Sequence, residues 1–188
     1  MALQSPVRDQ TKGLIDFKLK GTDGRSYSLA DVRGKNGTLV MFICNHCPYV
    51  KGVIDRLVED ARAMQAEGVG VVAIMSNDTK DYPADSFDNM KLFAKEHDFI
   101  FPYVIDETQE VARAYGAVCT PDLFGFNASG ELQYRGRVDS AGSRPASGSE
   151  KRELRDAMLE VAKTGKARRS RSPRSAAPSS GGTSGRQR

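Results

Sequence analysis

The chain has 188 residues, 39% of them hydrophobic, and a formal net charge of +4. This length and apolar content suffice for one compact domain, and no apolar stretch reaches the roughly 18 residues that a membrane span requires. The N-terminal residues 1–13 lack the apolar core of a secretory signal, so the sequence predicts a soluble, cytoplasmic protein. In a reducing compartment, three cysteines indicate chemistry or metal binding rather than a structural disulfide framework.

The positive charge belongs to the C-terminal end of the chain. Residues 166–188 contain seven Lys or Arg and no acid, which leaves −3 on residues 1–165. This segment is mostly Ser, Arg, Gly, Pro and Ala without apolar periodicity, so it is predicted to be a disordered tail. Because it has no aromatic residue to stack on a base, we expect weak, non-specific nucleic-acid binding at most. The predicted domain therefore spans 14–165, after an N-terminal extension at 1–13.

The first half of this domain predicts a hairpin, a buried strand and a helix. The stretch "IDFKLKGTDGRSYSLADVRG" alternates and turns at Asp23-Gly24, which is typical of a β-hairpin. The run "GTLVMFI" that follows is continuously apolar, as in a strand covered on both faces. After Pro48, apolar residues recur at helical spacing from Val50 to Met64, and the pattern ends at Gly68.

The second half continues the alternation and then changes. "VGVVAIM" predicts a strand, "SFDNMKLFAKEH" a helix begun by Asp85 or Ser86 and capped at its end by His97, and "PYVID" a short strand. A further helix is predicted from Glu107 to Tyr115, with Asp106 as its cap.

"DLFGFN" and "ELQYRGR" predict a closing antiparallel hairpin, and "SEKRELRDAMLEVAKTG" a final amphipathic helix. The fold class is therefore α/β, with a central mixed sheet flanked by helices, an N-terminal β-hairpin and one inserted helix.

The motif "FICNHCPYV" joins the apolar strand to the first long helix. Cys44 stands at the carboxyl end of the strand, where reactive groups gather in open α/β sheets, and Cys47 follows about one helical turn later. A helix N-terminus and a protonated His46 both favour a thiolate, so the pKa of Cys44 is expected to lie below the roughly 8.5 of a free cysteine. The spacing favours a redox-active pair.

Two other interpretations of the pair stay open. The cysteines could be buried neighbours without chemistry, or they could be half of a metal site. A tetrahedral metal site needs four ligands, and beyond Cys44, His46 and Cys47 the chain offers only Cys119 and His97. Because no second Cys-x-x-Cys is present, we expect neither a metal nor another cofactor.

A Thr-Pro pair supports the redox interpretation and leads to a family resemblance. In "AVCTPD", Thr120-Pro121 lies between the last central helix and the closing hairpin. With "DGRSYSL", "FICNHCPYVKGVIDRL", "SNDTKDYPADSFDNM", "FPYVIDETQEVARAYGAVCTPD" and "YRGRVD", the chain from about residue 14 to 164 resembles the redoxin branch of the thioredoxin superfamily. It is most similar to peroxiredoxin-like proteins related to the alkyl hydroperoxide reductase and thiol-specific antioxidant group.

The resemblance implies a thioredoxin-like fold and a role for each residue of the site. Cys44 would be the attacking cysteine, Cys47 the resolving cysteine, and Pro121 a cis proline that, with Thr120, helps to hold extended substrates. The chain departs from peroxiredoxins because Gly37 and Met41 stand seven and three residues before Cys44, where that family has Pro and a hydroxyl residue.

Three more residues are candidates for the same site. Cys119 is either a small core residue or an auxiliary thiol near the pair. Asn77 and Asp78 follow the second central strand on the predicted active-site side, where they either line the substrate groove or form an ordinary loop.

The leading functional hypothesis is a thiol–disulfide oxidoreductase that acts on protein or small-molecule disulfides and takes electrons from a thiol donor. The alternative is a thiol peroxidase in which peroxide oxidises Cys44. A non-catalytic metal-binding or RNA-binding module ranks third. No membrane partner is expected.

Overall fold

The computed structural model describes residues 13–167 and 177–178. Seven strands form one mixed sheet in the order β2-β1-β5-β4-β3-β7-β8. The strands are β1 Lys18–Gly21, β2 Ser26–Ser28, β3 Gly37–Phe42, β4 Val69–Met75, β5 Tyr103–Ile105, β7 Asp122–Phe126 and β8 Leu132–Gly136. Strands β3, β4 and β5 are parallel, whereas β1 and β2 at one side and β7 and β8 at the other run antiparallel to their neighbours. The predicted mixed sheet and both hairpins are confirmed.

Helices cover both faces of the sheet. They are α1 Leu29–Val32, α2 Pro48–Lys51, α3 Ile54–Ala66, α4 Phe87–Glu96, α5 Glu110–Tyr115 and α6 Glu153–Thr164. Alternate residues of β3 point to opposite faces. Leu39 and Met41 pack with α3, α4 and α6, and Val40 and Phe42 pack with α1 and α5. This double cover explains why every residue of β3 is buried and why its sequence is continuously apolar.

The helix predicted to follow Pro48 is broken into two pieces. Helix α2 ends at Lys51, and α3 begins at Ile54. A Cβ atom at Gly52 would lie 2.5 Å from the backbone oxygen of Ser143, so the chain passes this point only because residue 52 has no side chain. The apolar periodicity continues through the break, which is why the sequence pattern did not reveal it.

The inserted helix matches its prediction, and the next helix starts late. Ser86 caps α4, since its Oγ accepts a hydrogen bond from Asn89 N, and His97 follows as the C-cap. Helix α5 begins at Glu110 rather than Glu107, because Gln109 has a left-handed backbone with φ of 61°. Asp106 does not cap this helix at its first residue. Its carboxylate still binds the start of the helix, because it accepts hydrogen bonds from Ala112 N in the first turn and from Ser76 Oγ.

A second, two-stranded sheet lies apart from the main one. Strand β6, Cys119–Thr120, pairs antiparallel with β9, Ala177–Pro178, with Cys119 opposite Pro178 and Thr120 opposite Ala177. The remaining residues assigned to the N-terminal extension and the disordered tail, 1–12, 168–176 and 179–188, lie outside the described part of the chain. Within that part, no helix is both long and apolar enough to span a membrane.

Candidate redox site

The cysteine pair follows strand β3 and lies at the carboxyl end of the parallel strands. Cys44 comes two residues after the strand ends, and Cys47 is the N-cap residue of α2, with Pro48 in the first helical position. Proline is tolerated there because the first N–H groups of a helix have no intrahelical partner. Both cysteines are buried and reduced.

The loop that contains Thr120 and Pro121 faces this pair, as the sequence predicted. The peptide bond between the two residues is cis. Thr120 Oγ1 lies 3.5 Å from Cys44 Sγ, and the thiol of Cys47 donates to the Thr120 carbonyl oxygen at 3.5 Å. One residue therefore contacts both sulfur atoms through different groups.

Asp85 connects the cysteine loop to the loop after β4, and sequence reasoning missed this role. Its Oδ1 accepts hydrogen bonds from Asn45 N at 2.8 Å and His46 N at 3.2 Å. Its Oδ2 lies 2.6 Å from His46 Nδ1 and accepts from Asn77 Nδ2 at 2.9 Å. The side chain is completely buried. The sequence placed Asp85 only at a helix start, and since Ser86 takes the cap position, the carboxylate is free to face inward.

Two aromatic residues that the sequence did not single out complete the surroundings. Tyr103 is buried and donates from its hydroxyl to Asn45 Oδ1 at 2.8 Å. Burial raises the pKa of Tyr103 well above its ordinary value, so the hydroxyl stays a donor. Tyr82 stacks on the His46 ring with centroids 5.0 Å apart. No sequence spacing links these residues to the cysteines, because separate elements bring them together.

The remaining predicted site residues divide into two groups. Asn77 reaches the site through Asp85, whereas Asp78 is exposed and accepts a hydrogen bond from Lys80 N within its own loop. Cys119 is buried, and its thiol donates to the Pro121 carbonyl oxygen at 3.7 Å. Because the Thr120 side chain contacts Cys44 and successive side chains alternate along a strand, the Cys119 side chain leaves β6 on the other side.

The two thiols differ in acidity, and the expectation for Cys44 is wrong. Its pKa is raised, because it donates a hydrogen bond to Cys47, is desolvated by burial, and lies near the negative charge of Asp85. The pKa of Cys47 is lowered, because the neighbouring Cys44 thiol and the backbone N–H groups at the start of α2 favour its charged form. The sequence assigned the helix position to Cys44, but α2 begins only after Cys47.

One group of potential metal ligands occurs in the described residues. Cys44, His46 and Asp85 each place one ligand atom within 4.8 Å of the others. His46 Nδ1 and Asp85 Oδ2 are hydrogen-bonded to each other, however, so the arrangement is that of an imidazole–carboxylate pair beside a thiol. A groove of about 530 Å³ lies elsewhere: its lining residues come from 15–20 and 105–114 and include no cysteine.

Comparison with known proteins places the chain in a family. Residues 11–135 match the AhpC/TSA family. The chain belongs to this family. A curated relative of this AhpC/TSA chain, the thiol-disulfide oxidoreductase ResA of Geobacillus thermodenitrificans, is 29% identical over 118 residues, which are 63% of each protein. The chain thus spans less than two thirds of the length of that relative.

Solved structures extend the likeness over nearly the whole chain. An uncharacterized conserved protein from Geobacillus kaustophilus is 39% identical and covers 98% of both chains with a TM-score of 0.86. A secreted Mycobacterium tuberculosis disulfide oxidoreductase homologous to E. coli DsbE is 15% identical, covering 78% of this chain and 94% of its own, with a TM-score of 0.57. At that identity the likeness concerns the fold alone. The thioredoxin-like fold predicted for this AhpC/TSA protein is confirmed.

Proposed function

We propose that this protein is a thiol–disulfide oxidoreductase whose redox centre is the Cys44–Cys47 pair. One observation carries the proposal: both sulfur atoms lie 3.5 Å from Thr120, beside the cis bond to Pro121. Two thiols held at one point can close a disulfide without large movement of the backbone. Both thiols are buried, so a substrate has to bind at this point to reach them.

The comparisons support the same reaction class. The curated relative is named a thiol-disulfide oxidoreductase, and its match covers 118 residues of this chain. The likeness supports an oxidoreductase role, with protein or small-molecule disulfides as substrates and a thiol compound as electron donor. The cytoplasmic location stays a prediction.

The extended backbone of β6 supports a peptide as one class of substrate. Strand β6 has one neighbour among the described residues, the two-residue strand β9, and the Thr120 side chain points to Cys44. An extended segment that pairs with such an edge brings its own side chains next to the thiols. A disulfide in that segment would then lie within reach of the pair.

The test is turnover of a peptide disulfide such as insulin with dithiothreitol as electron donor. We expect the wild-type protein to accelerate reduction and the Cys44→Ser/Cys47→Ser double variant to fall to the uncatalysed background. Peptide mapping after oxidation should find the Cys44–Cys47 disulfide. Absence of that disulfide, with turnover unchanged in the double variant, would show that the pair is not the redox centre.

Thiol peroxidase activity is the second candidate, favoured by the family match. Met41 is fully buried and apolar, so it cannot orient a peroxide, and Thr120 Oγ1 is the hydroxyl within contact of Cys44 Sγ. A single weak contact at 3.5 Å supports slow oxidation. Stopped-flow oxidation by hydrogen peroxide measures this, and a rate near that of dedicated peroxidases would reverse the order of the two proposals.

A further inference from the structure

The edge of β6 is paired with a segment from the C-terminal part of the same chain. Strand β9 runs antiparallel to β6, with Thr120 opposite Ala177 and Cys119 opposite Pro178. Opposed residues of an antiparallel pair alternate between those that exchange two backbone hydrogen bonds and those that exchange none. Pro178 has no N–H, so Thr120 and Ala177 are the pair that exchanges both bonds. Ala177 N therefore donates to Thr120 O, and Thr120 N donates to Ala177 O.

These two backbone groups of Thr120 are the ones that an extended substrate needs. The N–H and the carbonyl group of one strand residue face the same neighbouring strand, so Thr120 pairs with one segment at a time. Thr120 O also accepts from the Cys47 thiol at 3.5 Å, and Thr120 Oγ1 lies 3.5 Å from Cys44 Sγ. Whatever segment pairs with Thr120 therefore lies beside the redox pair, and β9 takes that place.

The covalent connection makes this short strand an effective competitor. Ala167 ends the continuously described part of the chain, where its N donates to Gln133 Oε1 at 3.4 Å, and residues 168–176 connect it to β9. A strand of two residues pairs weakly as a free peptide. A connection of about ten residues gives it an effective concentration on the order of millimolar. A peptide substrate at a lower concentration thus competes with a segment that is always present.

The distribution of charge favours the same contact. Residues 166–188 contain seven Lys or Arg and no acid, whereas residues 1–165 have a net charge of −3. Opposite charges on the two parts of the chain attract each other at low ionic strength. The segment that contains β9 is therefore drawn towards the folded domain.

We propose that β9 is a tethered competitor at the peptide-binding edge of β6, which an extended substrate has to displace before it reaches the cysteines. The inference rests on the proposed function, since it concerns access to the Cys44–Cys47 pair. A small disulfide without a peptide backbone does not pair with Thr120, so β9 does not compete with it. Because β9 forms only two backbone bonds, we expect paired and unpaired forms in similar amounts, which doubles the half-saturating concentration of a peptide.

The variants Ala177→Pro and Ala177→Ser of the full chain test the competition. The first removes the N–H that donates to Thr120 O, and the second keeps it and serves as the matched control. The reduced protein is mixed with insulin or with bis(2-hydroxyethyl) disulfide in a single turnover, and the remaining thiols are counted by alkylation. The half-saturating insulin concentration should be about twofold lower in Ala177→Pro and unchanged in Ala177→Ser. The maximal rate, and the rate with the small disulfide, should be equal in all three proteins.

Pro178→Val is the change in the opposite direction. It keeps Ala177 N and replaces a residue of fixed φ with one that favours extended strands. Strand β9 should then pair more tightly, and the half-saturating insulin concentration should rise about threefold, with the maximal rate unchanged. Thermal unfolding of all variants measures their stability. A general loss of stability cannot produce opposed shifts in two variants of one segment.

Amide hydrogen exchange of Thr120 N reports on the pairing without any turnover. This N–H donates to Ala177 O, so it exchanges only when β9 leaves. By NMR, we expect it to exchange about twofold more slowly in the wild type than in Ala177→Pro, and more slowly still in Pro178→Val. The rate should not depend on the protein concentration.

Four results would contradict the inference or its basis. Unchanged insulin constants in both Ala177→Pro and Pro178→Val would overturn the competition. Equal shifts for insulin and the small disulfide would overturn the role of backbone pairing. Protection of Thr120 N that rises with protein concentration would mean that a second copy supplies β9, which would overturn the tether. Failure of both disulfides to oxidise the wild-type cysteines would overturn the proposed function, while the exchange of Thr120 N would still decide whether β9 occupies the edge.

Discussion

Two buried carboxylates at different places in the fold have different partners. Asp85, beside the cysteines, is bound by backbone N–H groups, an asparagine amide and an imidazole. Asp139, in the loop after β8, is equally buried but is held by the Arg56 guanidinium through Nε and Nη2. Arginine is permanently charged and histidine titrates near neutral pH. A carboxylate that only holds the fold together has a fixed cation, whereas the one next to the reactive thiols has a titratable partner.

The Arg56–Asp139 pair joins distant segments. Arg56, in α3, also donates to the carbonyl oxygens of Gly52 and Gly142, and Asp139 accepts from Ala141 N and Gly142 N. The pair therefore fastens the α2–α3 break to the loop that approaches Gly52. Its polar groups are bound to one another, as a buried ion pair requires.

The largest expected effect on stability comes from Asp139→Asn. This change leaves the Arg56 charge without its counterion, and removal of one partner of a buried pair costs about 3 kcal/mol or more. Asp85→Asn leaves no permanently charged side chain without its counterion, so we expect the free energy of unfolding to fall by only about 1 kcal/mol. Urea unfolding of the two variants measures both. A greater loss of unfolding free energy for Asp85→Asn would contradict the distinction.

The reactivity of Cys44 should respond to Asp85→Asn and not to Asp139→Asn, the reverse of the order expected for stability. In a Cys47→Ser background, Asp85→Asn removes the neighbouring negative charge and should lower the pKa of Cys44. We expect its alkylation near pH 8 to become about tenfold faster, equivalent to one pKa unit. Asp139→Asn in the same background is the matched control, and its alkylation rate should not change. Equal acceleration in both variants would mean that loosened packing, not charge, controls Cys44.

A third buried carboxylate has an arginine partner, as Asp139 does, but its hydrogen bonds are incomplete. Asp60 is bound to Arg152, but Asp60 Oδ2 and Arg152 Nε have no hydrogen-bond partner within the described part of the chain. Desolvation by burial raises the pKa of Asp60 to about 6. The folded state therefore binds a proton more tightly than the unfolded state, and the stability that this proton contributes is lost as the pH rises through about 6.

Asp60→Asn should remove this pH dependence. The difference in unfolding free energy, wild type minus variant, should fall between about pH 4 and pH 7. Unfolding in urea at several pH values gives the difference directly. A difference that increases with pH over this interval would show that the Arg152 charge outweighs the cost of burial.

The smallest effect is expected from truncation after Gly165, which removes β9 and the basic tail. Strand β9 pairs only two residues with β6, so the stability should change by no more than about 1 kcal/mol. Insulin reduction should stay within about twofold of the full chain, while weak, salt-sensitive nucleic-acid binding disappears. A large change in reduction rate would mean that β9 competes with, or assists, the substrate at β6.

The sequence was sufficient for features that depend on local patterns. Continuous apolar runs fixed the central strands, because a strand covered on both faces has no polar position. Ser86 marked a helix start through capping, and Gly68 marked a helix end through the positive φ that glycine adopts. Spacing also found the Cys44–Cys47 pair, and the family resemblance pointed to the Thr120-Pro121 bond, since both are contiguous motifs.

Contacts between distant segments decided the rest. Asp85 and Tyr103 reach the cysteine loop from 39 to 58 residues away along the chain. At the break between α2 and α3, the backbone of Ser143 approaches Gly52, and the periodicity of the neighbouring residues gives no sign of this contact. The acidity of the two thiols depends on which residue precedes α2 and which faces a buried charge. A linear motif gives two cysteines at a fixed spacing, but only packing in three dimensions makes their environments unequal.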